Sequence, residues 1–390
     1  MNRWAKVIQL GVVSLLFSFG FGLILFLLPL VAYGLSSSVA VVGVLVAVPA
    51  LASLLAAIPV GWLVDSYGRR LVFYPGILAM VVVVTCLPTV STISAFLLVV
   101  CFFGLGFQMV YGSLKTCLLE LLPPKESSKF FGLVATGVQA GLALGPLAGG
   151  FLLADGLEQG VLSAAKLFTL DFLVVMLLVA AFGLAGAPAR KPHFLRKSLF
   201  SGIGEIVKLR RVGVVVLWLT VLFTGYEGVV WALEPLFGVR LGMDASTAGM
   251  ILSLFILPFI FFSLPAGLIA DRFGKVPVLA LGLMASGVFM LFFGMVENVF
   301  LLAVCAFLSA MGLAFAWTAM AGLLADASAG FQKGGIVGVW NTSEELGYLA
   351  GPVLGGLFAQ SFTLKMPFAL VGILLLVSVV PVLSLVKKLK

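Results

Sequence analysis

Charge is what this chain has least of. Only 10 % of its 390 residues are Asp, Glu, Lys or Arg, against roughly 25 % in soluble domains. With 62 % hydrophobic residues and a mean hydropathy of +1.26, it cannot hide its apolar surface in a water-facing globule. Histidine is scarcer still: His193 stands alone in a hydrophilic stretch, which excludes histidine-based metal chemistry. The four cysteines, Cys86, Cys101, Cys117 and Cys305, lie inside apolar runs with no paired spacing. They read as small packing residues, not as disulfides or metal ligands. No Gly-x-x-x-x-Gly-Lys-Ser/Thr loop occurs, so ATP-driven pumping is not expected. Nor does hydrophobicity alternate over segments of about ten residues, which excludes a transmembrane β-barrel. No cofactor, metal or enzymatic centre is expected.

What fills the chain instead is long apolar runs. Twelve are legible, at 7–32, 38–63, 71–90, 94–119, 130–154, 166–187, 212–238, 245–270, 277–296, 300–325, 334–359 and 366–386. Each is long enough to cross about 30 Å of hydrocarbon as a helix. The first is too long for a signal peptide and lacks a small-residue cleavage site. The few basic residues fall in alternate loops. Arg3, Lys6, Arg69, Arg70, Lys125, Lys129, Arg272, Lys275, Lys333 and Lys387 share one side with a basic linker from Pro188 to Arg211, while Lys166, Arg240 and Lys365 lie on the other. This bias puts both termini and the linker in the cytoplasm of a multi-pass plasma-membrane protein. The net charge of +8 is therefore an orienting charge in contact with lipid, not a nucleic-acid footprint. Within the linker, Leu195, Leu199, Ile203, Ile206 and Leu209 fall at helical spacing, which suits a helix lying on the inner membrane face.

The chain repeats itself. Gly61-Trp62-Leu63-Val64-Asp65-Ser66-Tyr67-Gly68-Arg69-Arg70 returns in outline as Gly267 to Lys275, with aspartates offset by 271 − 65 = 206. Gly141, Gly145, Pro146, Gly149 and Gly150 return at the same offset as Gly347, Gly351, Pro352, Gly355 and Gly356. A constant register across two halves points to internal duplication. Glycines at every fourth position make one smooth helix face for close packing, and Pro146 and Pro352 should bend the helices that carry them.

Polar residues inside the spans mark candidate sites, since a charge at the bilayer centre costs roughly 3 kcal/mol or more. On the fourth span Gln108, Tyr111 and Lys115 share a face. On the seventh, Glu227, Trp231 and Glu234 do so, and on the eleventh Asn341, Glu345 and Tyr348, with Glu344 beside them. Gln139 corresponds to Glu345 and Tyr111 to Trp317 by the 206 offset. Glu345, Glu227 and Glu344 are the proton-coupling candidates, because a desolvated carboxylate titrates nearer neutrality. Gln108, Tyr111, Lys115, Gln139, Trp231, Trp317 and Asn341 are candidates for a substrate cavity, where aromatic rings stack on flat or cationic groups. Glu234 and Asp171 are expected near the outer interface.

The loop Gly61-x-Leu63-x-Asp65-x-x-Gly68-Arg69-Arg70, its echo at Gly267 to Lys275, the twelve spans and the basic central linker together resemble the major facilitator superfamily. The resemblance implies an all-α membrane fold of two pseudo-symmetric six-helix bundles, 1–187 and 212–390, joined by the linker 188–211 and enclosing a central cavity. It further implies a latch for the outward-open state. Asp65 would approach the N-terminus of the eleventh helix, Arg69 and Arg70 would pair with nearby acids, and Gly61, Gly68, Asp271 and Gly274 would shape the two loops. The Gly145-Pro146 stretch is similar to a motif of the drug–proton antiporters in that superfamily. An arginine usual in their fourth span is absent here, where Val100 and Phe102 stand four residues before Gly104 and Gly106. The reading is a monomeric secondary transporter that exchanges protons for small amphipathic or cationic compounds. Proton-coupled uptake of a metabolite is the alternative, and a lipid flippase or a non-transporting sensor is the reading from another class.

Overall fold

The computed structural model describes residues 3–121, 127–182, 209–328 and 333–389. Residues 188–208 of the expected linker, with their proposed surface helix, lie outside these. The described chain is helical throughout its regular structure. The first half comprises α1 (Arg3–Ser36), α2 (Val39–Tyr67), α3 (Arg70–Cys86), α4 (Ile93–Leu121), α5 (Ser127–Leu152) and α6 (Leu157–Ala181). The second comprises α7 (Arg210–Arg240), α8 (Ala245–Leu254), α9 (Leu257–Phe273), α10 (Lys275–Phe293), α11 (Val299–Ala327), α12 (Lys333–Ser361), α13 (Met366–Val377) and α14 (Val379–Leu389). Eleven spans are long and apolar enough to cross a membrane. The eleventh expected span, α12, has the length at 29 residues but is more polar, carrying Asn341, Glu344 and Glu345. This is an all-α multi-pass membrane fold.

Three expected spans differ in outline. The eighth is two helices, α8 and α9, because Pro258 in the first turn of α9 has no N–H to carry the ladder backwards. The twelfth breaks at Ser378, between α13 and α14, where Pro381 cannot donate to the Val377 carbonyl. The sixth begins at Leu157, nine residues before the apolar run, since polar residues at a helix end are tolerated at the interface.

The described residues fall into two compact units: Met1–Phe194 with Gly238–Ser253, and Leu195–Phe237 with Leu254–Lys390. In the first, α1 lies along α5, and α4 packs against both α2 and α3. The contact with α5 is backbone to backbone. A Cβ on Gly141 would collide with the Leu15 carbonyl, and one on Gly145 with the Phe19 carbonyl. In the second unit the same device joins α12 to α7, where Gly347 faces the Val221 carbonyl and Gly351 the Gly225 carbonyl. The partners keep the register too, since 221 − 15 and 225 − 19 are both 206. Gly106 of α4 sits on Met80 and Gly76, and Gly312 of α11 on Ser286 and Gly282, again 206 apart. The duplication is thus a duplication of helix contacts, not only of letters.

Candidate functional site

The polar residues of the second unit assemble around α7 and α12. The Tyr348 hydroxyl of α12 donates a hydrogen bond to Glu227 Oε2 of α7. Glu344 and Glu345, one turn before Tyr348, act on it electrostatically. Gly351 and Gly347 bring the two backbones close enough for this bond, because any side chain there would force the helices apart. Beside the acids stands an aromatic wall. Trp317 of α11 has Trp340 of α12 at 6.1 Å and Phe223 of α7 at 5.9 Å between ring centroids. Asn341, Trp231, Trp317, Glu227, Glu344 and Glu345 are all half-buried. Behind them the Tyr226 hydroxyl and Ser309 Oγ are 3.0 Å apart, with Ser309 donating to the Ser286 carbonyl at 3.1 Å.

Glu234 is enclosed by protein. Its relative exposure is 1 %, and its Oε2 has no hydrogen-bond partner among the described residues. Asp171 is likewise buried, 7 % exposed, and lies 14 residues, or about 21 Å, into α6. Its carboxylate rests against Gly20 of α1, where an added Cβ would come within 2.7 Å of Oδ2. The apolar runs alone place both acids near the membrane surface, because each stands close to the end of its run. The earlier start of α6 puts Asp171 further along its helix, and close packing around α7 shields Glu234.

In the first unit Gln108, Tyr111 and Lys115 do share one face of α4. Ser53 of α2 donates to Gln108 Oε1 at 3.0 Å, and Lys115 Nζ lies 5.7 Å from the Tyr111 ring centroid. Sequence reading missed the aromatic column that continues this face. Phe107 stacks on Tyr111 at 5.3 Å and on Phe21 of α1 at 4.2 Å, and Phe21 stacks on Phe103 at 5.6 Å. The signal was present as phenylalanines four apart on α1 and α4. Gln139 of α5 is half-buried. Gly149 packs on Phe26 and Leu23, and Pro146 and Gly150 carry the α8 residues Gly249 and Ala245. In the second unit Gly228 packs on Pro352, and Gly355 on Val229 and Leu233.

The two loops of the repeat end their helices alike. Gly68 and Gly274 take φ of 86° and 95°, the left-handed region that glycine enters without strain. Arg69 is buried and Arg70 exposed, while Gly61 and Asp271 are exposed. The Asp65 side chain lies outside the described residues. Lys275, which stands where Arg69 does in the first half, pairs with Asp326 at 2.5 Å and donates to the Gly322 carbonyl at 3.2 Å. The bond ties the start of α10 to the end of α11.

The family model of the Major Facilitator Superfamily matches residues 10–240 and 216–389. The chain belongs to the major facilitator superfamily. Its relatives include the quinolone resistance protein NorA of Staphylococcus aureus (strain MRSA252), 28 % identical over 147 residues, which is 38 % of each chain. The uncharacterized MFS-type transporter YfkF of Bacillus subtilis (strain 168) is 24 % identical over 67 % of this chain and 65 % of that one. The match therefore spans under two-fifths of NorA and under two-thirds of YfkF. Among solved structures, a POT family transporter in complex with 5-aminolevulinic acid superposes with a TM-score of 0.78 at 12 % identity, covering 98 % of this chain and 96 % of that one. A mutant of the nucleoside transporter NupG gives 0.74 at 15 % identity, covering 97 % and 99 %. The fold of this facilitator is thus that of known transporters.

Proposed function

We propose that this facilitator is a secondary active transporter that exchanges protons for small amphipathic or cationic compounds, expelling them from the cell. The observation that carries this reading is the Glu227–Tyr348 bond, set beside Glu344, Glu345 and the Trp317–Trp340 wall. A carboxylate among apolar helices is costly when charged and cheap when protonated, so its titration biases which state of the protein is favoured. Tyr348 donates to the charged form and turns acceptor for the protonated one. A bound cation and a proton would compete for the same acids. The resemblance to a quinolone resistance protein supports efflux. Residues 1–187 and 212–390 are the two halves that alternate, working as a monomer in the plasma membrane with both termini cytoplasmic.

The test is proton release by purified protein in detergent on adding tetraphenylphosphonium. Release that disappears in Glu227→Gln or Glu345→Gln is the expected result. No release by the wild type would contradict the competition. One observation favours proton-coupled uptake instead: the fourth span lacks the antiporters' arginine and carries Lys115, a cation suited to an anionic metabolite. Proton uptake on adding such a metabolite would favour that reading.

A further inference from the structure

We infer that Asp171 is a proton-binding site of the first unit. It holds a proton while α6 is packed on Gly20 of α1 and gives it up when that contact opens to water. The inference goes beyond the proposed exchange, whose acids all belong to the second unit.

A glycine makes room for the acid. Asp171 stands 14 residues from the start of α6 and 10 from its end, and Gly20 is near the middle of α1. A Cβ on Gly20 would lie 2.7 Å from Asp171 Oδ2 and 2.5 Å from Phe172 Cε2. The carboxyl group thus fills the space a larger residue would take, and α1 closes directly on it. On the Phe172 side, rings of α1, α4 and α6 interlock. Phe172 is 4.0 Å from Phe168 and 5.6 Å from Phe17, and Phe168 is 6.3 Å from Phe103, between centroids. Asp171 is 7 % exposed, and its Oδ2 has no hydrogen-bond partner among the described residues.

No counter-charge offsets it. The elements packed on α6 offer Lys6 and Tyr33 of α1 and Arg70, Tyr74 and Cys86 of α3, and α6 itself carries Glu158 and Lys166. None of these contributes a bond or a charge at Asp171, whose polar neighbour is the Gly20 backbone. Arg3, Lys129 and Asp155, whose side chains lie outside the described residues, stand at the ends of their elements. Arg3 is 17 residues from Gly20, and Asp155 is 16 from Asp171. Lys129 is 16 residues from Gly145, which packs on Gly22 and Leu23 beside Gly20. Each is therefore about 24–25 Å away along its helix. The basic residues of the linker follow the end of α6.

The second half fills the same place differently. At the 206 offset Gly20 corresponds to Tyr226 and Phe103 to Ser309, whose hydroxyls are 3.0 Å apart. Asp171 corresponds to Val377. The acid is an addition to the first half, admitted by a glycine, and not part of the duplicated packing. Enclosed without a partner, a carboxylate is costly and the neutral acid is not. A proton is the one counter-ion that needs no space of its own. When α6 parts from Gly20, the carboxylic O–H passes its proton to water and leaves a hydrated carboxylate.

The experiment is infrared spectroscopy of purified full-length protein in detergent, with every aspartate isotope-labelled at its side-chain carboxyl. The chain has six: Asp65, Asp155, Asp171, Asp244, Asp271 and Asp326. The last three are exposed. At neutral pH the wild type should show an isotope-shifted carbonyl stretch of a protonated acid, which raising the pH removes. Asp171→Asn should lose this band, and Asp65→Asn and Asp155→Asn should keep it. Gly20→Ala, which wedges a methyl group against Oδ2, should shift its disappearance to lower pH. Absence of the band from the wild type at neutral pH, which needs no variant to fold, overturns the site. So does a band that survives Asp171→Asn or disappears in Asp65→Asn or Asp155→Asn. An unchanged pH dependence in Gly20→Ala would refute the tie between the proton and the α1–α6 contact. The spectrum reads protonation without transport, so an absence of proton exchange would leave the band intact.

Discussion

A carboxylate inside an apolar bundle persists only where a partner, a cavity or a proton compensates its charge. Glu227 has Tyr348. Tyr348→Phe removes the donor and leaves the ring, so the charged form of Glu227 loses a charge-assisted bond of about 1.5–3 kcal/mol. Transport by this variant should require a higher pH to reach its maximum, as read from a pH profile of uptake into vesicles. An unchanged profile would separate Tyr348 from coupling. A second acid gives a test of opposite character. Glu297 is exposed, and its bond and charge contact with Lys365 hold its carboxyl below the ordinary range. A lowered folded pKa stabilises the fold above the unfolded pKa of about 4.3, and that stability is lost as pH falls through the lowered value. Thermal unfolding of Glu297→Gln should fall below wild type at pH 7 and meet it near pH 3. A gap that stays constant with pH would assign the effect to packing. The enclosure of Glu234 and Asp171 by protein was not legible at the residue level. Their identity was plain, but enclosure depends on what packs around a helix, and that is not written locally.

At the scale of elements, glycine decides how closely helices approach. Gly351 sits on the Gly225 carbonyl of α7 with no room for a methyl group, whereas Gly338 of the same helix has nothing within 4 Å. Gly351→Leu should therefore destabilise the protein by about 1–3 kcal/mol or more. It should also separate Tyr348 from Glu227. Gly338→Ala should leave stability unchanged or slightly raised, since alanine is the better helix former. Unfolding in detergent checks both, and equal effects would refute the backbone contact. The register of these glycines was legible in the sequence because duplication repeats small residues visibly. The contact partners were not, since Leu15 and Val221 look like ordinary apolar residues. The breaks near Ile256 and Ser378 were obscured for a similar reason: hydropathy runs unbroken through both, and only Pro258 and Pro381 mark them.

For the whole molecule, the account requires two states whose balance is set by weak, reversible contacts at the loops between helices. The Lys275–Asp326 pair shows such a contact inside the second unit. We propose that Asp65, Arg69 and Arg70 serve the first half in the same way. A carboxylate at a helix N-terminus contributes about 0.3–1 kcal/mol, and 1 kcal/mol moves a two-state equilibrium about fivefold. Asp65→Asn should therefore lower turnover about fivefold or less while leaving ligand binding in place. Unchanged turnover would remove the latch. The twelve-span plan was legible because hydropathy and the basic loops report it directly. The aromatic column escaped because its phenylalanines look like any membrane packing until α1 and α4 are brought together.

The most direct test of proton exchange is accumulation of tetraphenylphosphonium by proteoliposomes with the membrane potential clamped and a pH difference imposed. An acidic lumen should drive accumulation, an alkaline lumen should not, and Glu227→Gln should abolish the difference. Accumulation indifferent to the pH gradient, or driven by an alkaline lumen, would contradict antiport.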